Sequence, residues 1–175
     1  MQKSEVTSAY VAVGSNIDPL THIEAGLRAL AEYVRVVDIS TVYASRPSER
    51  PEQPDFVNGV LLVETERDPW SLKFDVLREV ESRQGRRRER DKHAARTLDL
   101  DLILFGDKVI RSDDLVLPDP DIYKAPYVYF PLAELAPDLI LPDTGVRAGD
   151  LGAKGGAGLT PMPTLTASLK GWLAK

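Results

Sequence analysis

Arg96-Thr-Leu-Asp-Leu-Asp-Leu-Ile-Leu-Phe105 is the stretch on which the reading of this chain turns. Side chains alternate across a strand, so Asp99 and Asp101 share one face with Thr97, and Leu98, Leu100, Leu102 and Leu104 share the other. The leucine face fixes the register against a core. The two carboxylates then project together from a buried strand. Like charges a few ångströms apart raise each other's pKa, and aspartate is depleted in strands. A cation removes the repulsion, and magnesium takes one or two carboxylates while leaving its other positions to water and phosphate. The plainer alternative is a pair of exposed strand aspartates bonded to nearby arginines.

Immediately upstream, residues 83–96 hold seven basic side chains (Arg83, Arg86, Arg87, Arg88, Arg90, Lys92 and Arg96) against Glu89 and Asp91, a local +5 on a chain of net charge -5. A focused positive cluster on an acidic protein suggests an anion site, whereas a nucleic-acid protein is more often basic overall. Arginine presents a rigid fork of donors to phosphate oxygens, and Arg96 is three residues from Asp99. Cations beside paired carboxylates suit phosphoryl transfer, which depends on positioning and charge neutralisation. A solvated charged loop is the bland alternative.

Further out, residues 9–13 (Ala-Tyr-Val-Ala-Val) read as a buried strand broken by Gly14-Ser-Asn16. Asp18-Pro19 has the form of an N-cap and first helical residue, and Leu20, Ile23, Leu27, Leu30 and Val34 follow at helical spacing. Residues 36–43 are rich in β-branched side chains and read as a second strand. Residues 44–54 contain three prolines and form a loop. Residues 56–65 are a third strand, and Asp68-Pro69 begins a helix carrying Trp70, Phe74, Leu77 and Val80 that stops at Gly85. The order strand, helix, strand, strand, helix, strand predicts an α+β, ferredoxin-like βαββαβ fold: an antiparallel sheet with helices on one face. Residues 115–142 are expected to pack as an appendage. The predicted division is a 1–143 domain and a 144–175 tail, the latter with six glycines between 145 and 158 and a short helix bearing Leu165, Leu169 and Trp172.

The remaining composition excludes classes. There is no cysteine, so thiolate metal sites and disulfides are out, and two histidines cannot alone build a multi-histidine zinc site. No apolar run approaches the roughly 20 residues that span a bilayer. A cytoplasmic protein without membrane or nucleic-acid partners is the simplest reading. Gly14-Ser-Asn16 is not a P-loop, and no G-x-G-x-x-G occurs. A bound nucleotide would be held by magnesium and side chains. Phe56 and Asn58 face the same way and would suit a flat heterocycle, although taken alone they read more readily as a core phenylalanine and a strand-end asparagine.

Together these pieces resemble the 6-hydroxymethyl-7,8-dihydropterin pyrophosphokinases. The resemblance rests on Val13-Gly-Ser-Asn16, Gln53-Pro-Asp-Phe-Val-Asn58, the Glu81 to Arg88 stretch, Arg96-Thr-Leu-Asp-Leu-Asp101 and Pro131-Leu-Ala-Glu-Leu-Ala-Pro137. It implies transfer of pyrophosphate from ATP to the hydroxymethyl-dihydropterin in folate synthesis, with AMP as the other product. It implies two magnesium ions on Asp99 and Asp101, catalytic roles for Arg86, Arg88 and Arg96, and an ATP site drawing on Glu81, Arg86, Lys92, Arg96 and Lys124. Phe56 and Tyr127 would sandwich the pterin ring, Asn58 would bond it, and Ser45 and Pro47 would lie beside it. A monomer is implied. The chain departs from the family pattern at Lys92 and His93 (usually arginine and tryptophan), at Asp119 (histidine), at Ala125 (arginine), and in a loop, residues 45–51, that lacks the usual glycine. The alternatives are a related ATP-dependent transferase for another pterin or heterocycle, a non-catalytic relative, and an RNA-binding domain, the last lacking the exposed strand aromatics of that class.

Overall fold

A computed structural model describes residues 4–87 and 90–175. The strands β1 (Thr7–Ser15), β2 (Arg35–Ile39), β3 (Tyr43–Ser45), β4 (Phe56–Thr65) and β5 (Asp99–Phe105) form one antiparallel sheet in the order β5-β1-β4, with β4 pairing along its outer side first with β3 and then with β2. The predicted second strand is thus broken in two, interrupted between Ile39 and Tyr43. With α1 (Pro19–Leu30) and the helix over Ser71–Leu77 and Arg78–Arg83, here α2, the order is βαββαβ, the ferredoxin-like unit.

Residues of alternating parity face two different cores. Val11, Val13, Leu61, Val63, Leu98, Leu100 and Leu102 pack under the helices with Ile23, Leu27, Leu72 and Val80. Tyr10, Val60, Ile103 and Leu104 point to the opposite face. The predicted single leucine face therefore ends at Leu102. The β1–β5 register jumps from Val11↔Leu102 to Tyr10↔Leu104, and this bulge turns Leu104 onto the second face. An extra residue on one strand reverses the alternation beyond it.

The second face is covered as well. Beyond the small β6 (Ile110–Arg111) and β7 (Val116–Leu117) ribbon, α3 (Asp121–Lys124), α4 (Pro126–Leu135) and α5 (Ala148–Gly152) bring Ile122, Val128, Leu132, Leu141 and Leu151 against it. The stretch expected to be an appendage is a third layer. The glycine-rich stretch packs through Ala148 and Leu151. The chain then adds β8 (Thr160–Pro161) beside β3 and α6 (Pro163–Leu173), whose Leu165 and Leu169 enter the first core.

Helix starts differ in detail. The Asp68 carboxylate accepts the Ser71 N–H at 3.0 Å, the expected cap. Asp18 does not cap α1 with its side chain. It sits at φ 43° instead, and Pro19 begins the helix. The first turns of α2 are widened, with the Arg78 N–H reaching the Lys73 carbonyl five residues back. Gly85, at φ +76°, turns the chain out of α2 into the basic segment.

Candidate active site

The second face changes character along its length. Tyr10, Val60 and Ile103 are apolar and lie under α4, whereas Gly14, Asn58, Asp99 and Asp101, further along the same strands, line an open cleft of about 1090 Å³. The first turn of α4 borders this cleft with Pro126 and Tyr127. The volume exceeds the roughly 300–1,000 Å³ typical of a single small-molecule pocket and suits two substrates side by side.

At the β5 end, Asp99 and Asp101 project together, as their spacing requires. Arg96 donates from Nη1 to Asp99 Oδ2 at 2.5 Å, and Arg86 Nη2 lies 3.6 Å from Asp99 Oδ1. Asp99 is flanked by two guanidinium groups. Asp101 is set apart from them. Burial, then the neighbouring charges of Asp99, Glu81 and Asp119, push its carboxyl up to about 7, and Arg96 offsets only part of this. The side chain is open to the cleft yet ringed by protein at its floor. Cleft water therefore screens part of the penalty. Asp119, on the cleft wall, is raised too, chiefly by burial.

Two carboxylates on one strand face fit magnesium, which leaves its remaining positions to water and phosphate oxygens. Among the described residues no set of three or more His, Cys, Asp or Glu side chains converges on a metal position, so an all-protein cage is not the fit.

Glu81 lies elsewhere than its expected ATP role. It is buried, at 3% exposure, and its Oε1 accepts the Leu100 N–H at 2.8 Å. It is not among the residues lining the cleft. It reaches the backbone between the two aspartates. Lys124 also stays off the cleft wall. Its amine pairs with Asp121 at 3.7 Å and its side chain is largely exposed. Lys92 and His93 line the cleft. Arg88 falls outside the described residues.

Toward β3, Asn58 donates to Ser45 Oγ at 2.9 Å with Pro47 and Phe56 beside them on the cleft wall, and Tyr127 lines the cleft within reach of the charges of Asp101 and Asp119. All five expected pterin-side residues thus border one cavity with the aspartates.

Asn16 was legible only as part of a motif, and its role emerges from the geometry. It is buried, its Oδ1 accepts the Arg96 N–H at 2.7 Å, and its own N–H donates to the Arg96 carbonyl at 3.0 Å. Its Nδ2 donates to Gln53 Oε1 at 3.0 Å, and Gln53 Nε2 donates to the His93 carbonyl at 2.9 Å. Arg50 forms an ion pair with Asp91 beside them. Three loops are tied together around Arg96. A buried polar residue at the end of an apolar strand was the available signal.

The model of the 7,8-dihydro-6-hydroxymethylpterin-pyrophosphokinase (HPPK) family matches residues 10–137. The chain belongs to this family. It is 39% identical over 142 residues to the 2-amino-4-hydroxy-6-hydroxymethyldihydropteridine pyrophosphokinase of Haemophilus influenzae, covering 79% of this chain and 88% of that one. It is 40% identical over 141 residues to the enzyme of the same name from Pseudomonas aeruginosa, covering 79% and 86%. Among solved structures, Plasmodium falciparum HPPK-DHPS superposes with a TM-score of 0.67 at 12% identity, over 88% of this chain. This likeness shows the fold, and the chain spans 45% of that longer protein. The HPPK match includes both aspartates, Arg86, Arg96 and the Phe56–Asn58 pair, and leaves residues 138–175 beyond it.

Proposed function

We propose that the chain transfers the β,γ-pyrophosphoryl group of ATP to the hydroxymethyl group of 6-hydroxymethyl-7,8-dihydropterin, as an HPPK of folate synthesis. The observation that carries this reading is the shared cleft, in which Asp99, Asp101 and Arg96 line the same cavity as Phe56, Asn58 and Tyr127. The hydroxyl oxygen forms a bond to the β-phosphorus, and the bond from that phosphorus to the oxygen bridging toward the α-phosphorus breaks. AMP keeps the bridging oxygen, and the hydroxyl proton passes to solvent.

The residues supply position and charge. Asp99 and Asp101 would hold magnesium, which neutralises phosphate charge when bound. Arg96, fixed through its backbone by Asn16, lines the cleft and would turn its guanidinium from Asp99 and the Lys92 carbonyl to phosphate oxygens, and Arg86, beside Asp99 but off the cleft wall, would add positive charge behind it. Phe56 and Tyr127 offer ring faces to the pterin, and Asn58 and Ser45 offer polar atoms to its edge. Glu81 positions the strand from behind. Lys92 supplies a charge at the mouth of the cleft. Lys124, paired with Asp121 off the cleft wall, would meet ATP only with its side chain swung inward.

A monomer acting in the cytoplasm completes the proposal. One chain forms the whole described cleft, and the absence of cysteine removes any need for an oxidising compartment. No described helix is long and apolar enough to cross a membrane.

The deciding test is AMP formation from ATP and magnesium with and without the pterin. Pterin-dependent AMP supports the assignment. Folded protein that binds magnesium-ATP and forms no AMP with this acceptor rejects it and directs the search to another heterocycle.

A further inference from the structure

The cleft does not end where the family match ends. Ala157, Gly158, Leu159 and Thr160 border it together with Ser45 and Pro47, and all four lie beyond residue 137. They are held there from both sides. Upstream, Leu151 sits in the second core. Downstream, Leu165 and Leu169 sit in the first. Thr160 and Pro161 pair with Ala44 and Tyr43, and the Met162 N–H donates to the Val42 carbonyl at 2.9 Å. Between these anchors the chain crosses Phe130 so closely that a Cβ on Gly156 would lie 2.9 Å from its ring. Phe130 in turn stands edge-on to Tyr43, with ring centroids 5.6 Å apart.

The sheet order places this segment at one extreme. β5, with the aspartates, is at one edge, β4 with Phe56 and Asn58 is in the middle, and β8 is at the other edge. At about 4.8 Å per strand, β8 lies roughly 19 Å from β5 and roughly 10 Å past β4. An acceptor ring held at β4 with its hydroxymethyl group toward β5 thus has its far end toward residues 157–160.

We propose that residues 157–160 are the outer wall of the acceptor site and set the size of acceptor the cleft takes. The proposal rests on the assignment of the acceptor to Phe56 and Asn58. Ala157 and Gly158 bring little side-chain bulk to the wall, which leaves room at the far end of the ring. Ala157 is exposed and borders the cleft, so a larger side chain there enters the cleft without disturbing either core.

The test substitutes Ala157→Leu and Ala157→Phe, with Ala153→Phe on the exposed turn outside the cleft as control. Equilibrium binding of the pterin, followed by its fluorescence, is measured beside ATP binding and the KM for each substrate. Ala157→Phe is expected to weaken pterin binding about tenfold or more, with Ala157→Leu between it and wild type. ATP affinity and the Ala153→Phe control stay at wild-type values. Wild-type pterin affinity in both Ala157 variants, or equal weakening of ATP and pterin, overturns the wall while leaving the HPPK reading intact. A wild-type protein that binds ATP but no pterin overturns that reading and the wall with it.

Discussion

Glu81 Oε1 accepts the backbone N–H of Leu100 at 2.8 Å, so a buried carboxylate holds the one residue that separates Asp99 from Asp101. The contact ties α2 to the strand that bears the carboxylate pair. Replacing Glu81 with alanine leaves the Leu100 N–H buried and unmatched. A loss of about 2–4 kcal/mol is expected in urea denaturation, with Glu81→Gln much milder because its amide oxygen still accepts. Equal losses in the two variants would show that the hydrogen bond is not what Glu81 contributes.

Asn16 makes a comparable prediction for Arg96. Asn16→Ala removes the acceptor for the Arg96 N–H and the link to Gln53. Misplacement of a charged group by about 1 Å can cost on the order of a hundredfold, so kcat/KM for ATP is expected to fall between about tenfold and a hundredfold. Asn16→Asp keeps the acceptor and should recover part of the loss. Wild-type kinetics in Asn16→Ala would remove Arg96 placement from its role.

The elevated carboxyl of Asp101 sets a pH dependence. Its pKa rises from 3.8 to about 7 in the folded, metal-free chain. The protonated form is the one folding favours. Its contribution to stability is therefore complete below 3.8 and is lost as pH rises toward 7. Magnesium must displace that proton, so calorimetric magnesium affinity should weaken below pH 7, by at most about tenfold per pH unit. Asp101→Asn should be more thermostable than metal-free wild type at pH 8 and should show no turnover. Retained turnover there would sink the metal assignment.

Phe56 offers a simpler division. It lines the acceptor part of the cleft on β4, with β1 between it and the strand that bears Asp99. Phe56→Ala should raise the pterin KM about tenfold or more while leaving the ATP KM within about twofold. Parallel rises would place the ring elsewhere.

The βαββαβ order was legible because short apolar and β-branched runs, bounded by Gly, Asn and Pro, alternate with two helical stripes opened by Asp-Pro pairs, and only the last strand shows a period of two. Asp99 and Asp101 were legible because their leucine neighbours fix which way they point. Leu104 was not, since a bulge depends on the partner strand and leaves no mark in the alternation of β5 itself. The packing of residues 115–142 was hidden by prolines that suppress periodicity, and Pro131 even lies within α4. Glu81 carried no local sign of its direction, because charged residues on a helix usually face water. Lys124 looked available from its adjacency to Ala125, but the short α3 aims its amine at Asp121. The glycines of residues 145–158 suggested freedom, whereas Gly149, Gly152 and Gly156 lie too close to Pro137, Ala133 and Phe130 to admit a side chain, which only the fold reveals.

The placement of α6 has a consequence for synthesis. Leu165 and Leu169 fill the same core as Ile23 and Leu27 of α1, so a nascent chain on the ribosome reaches its last strand of the ferredoxin-like unit with that core still missing a side. Until residues 160–173 emerge, the outer edge of β3 and the apolar ground beneath α6 stay uncovered, a state open to chaperones and proteases.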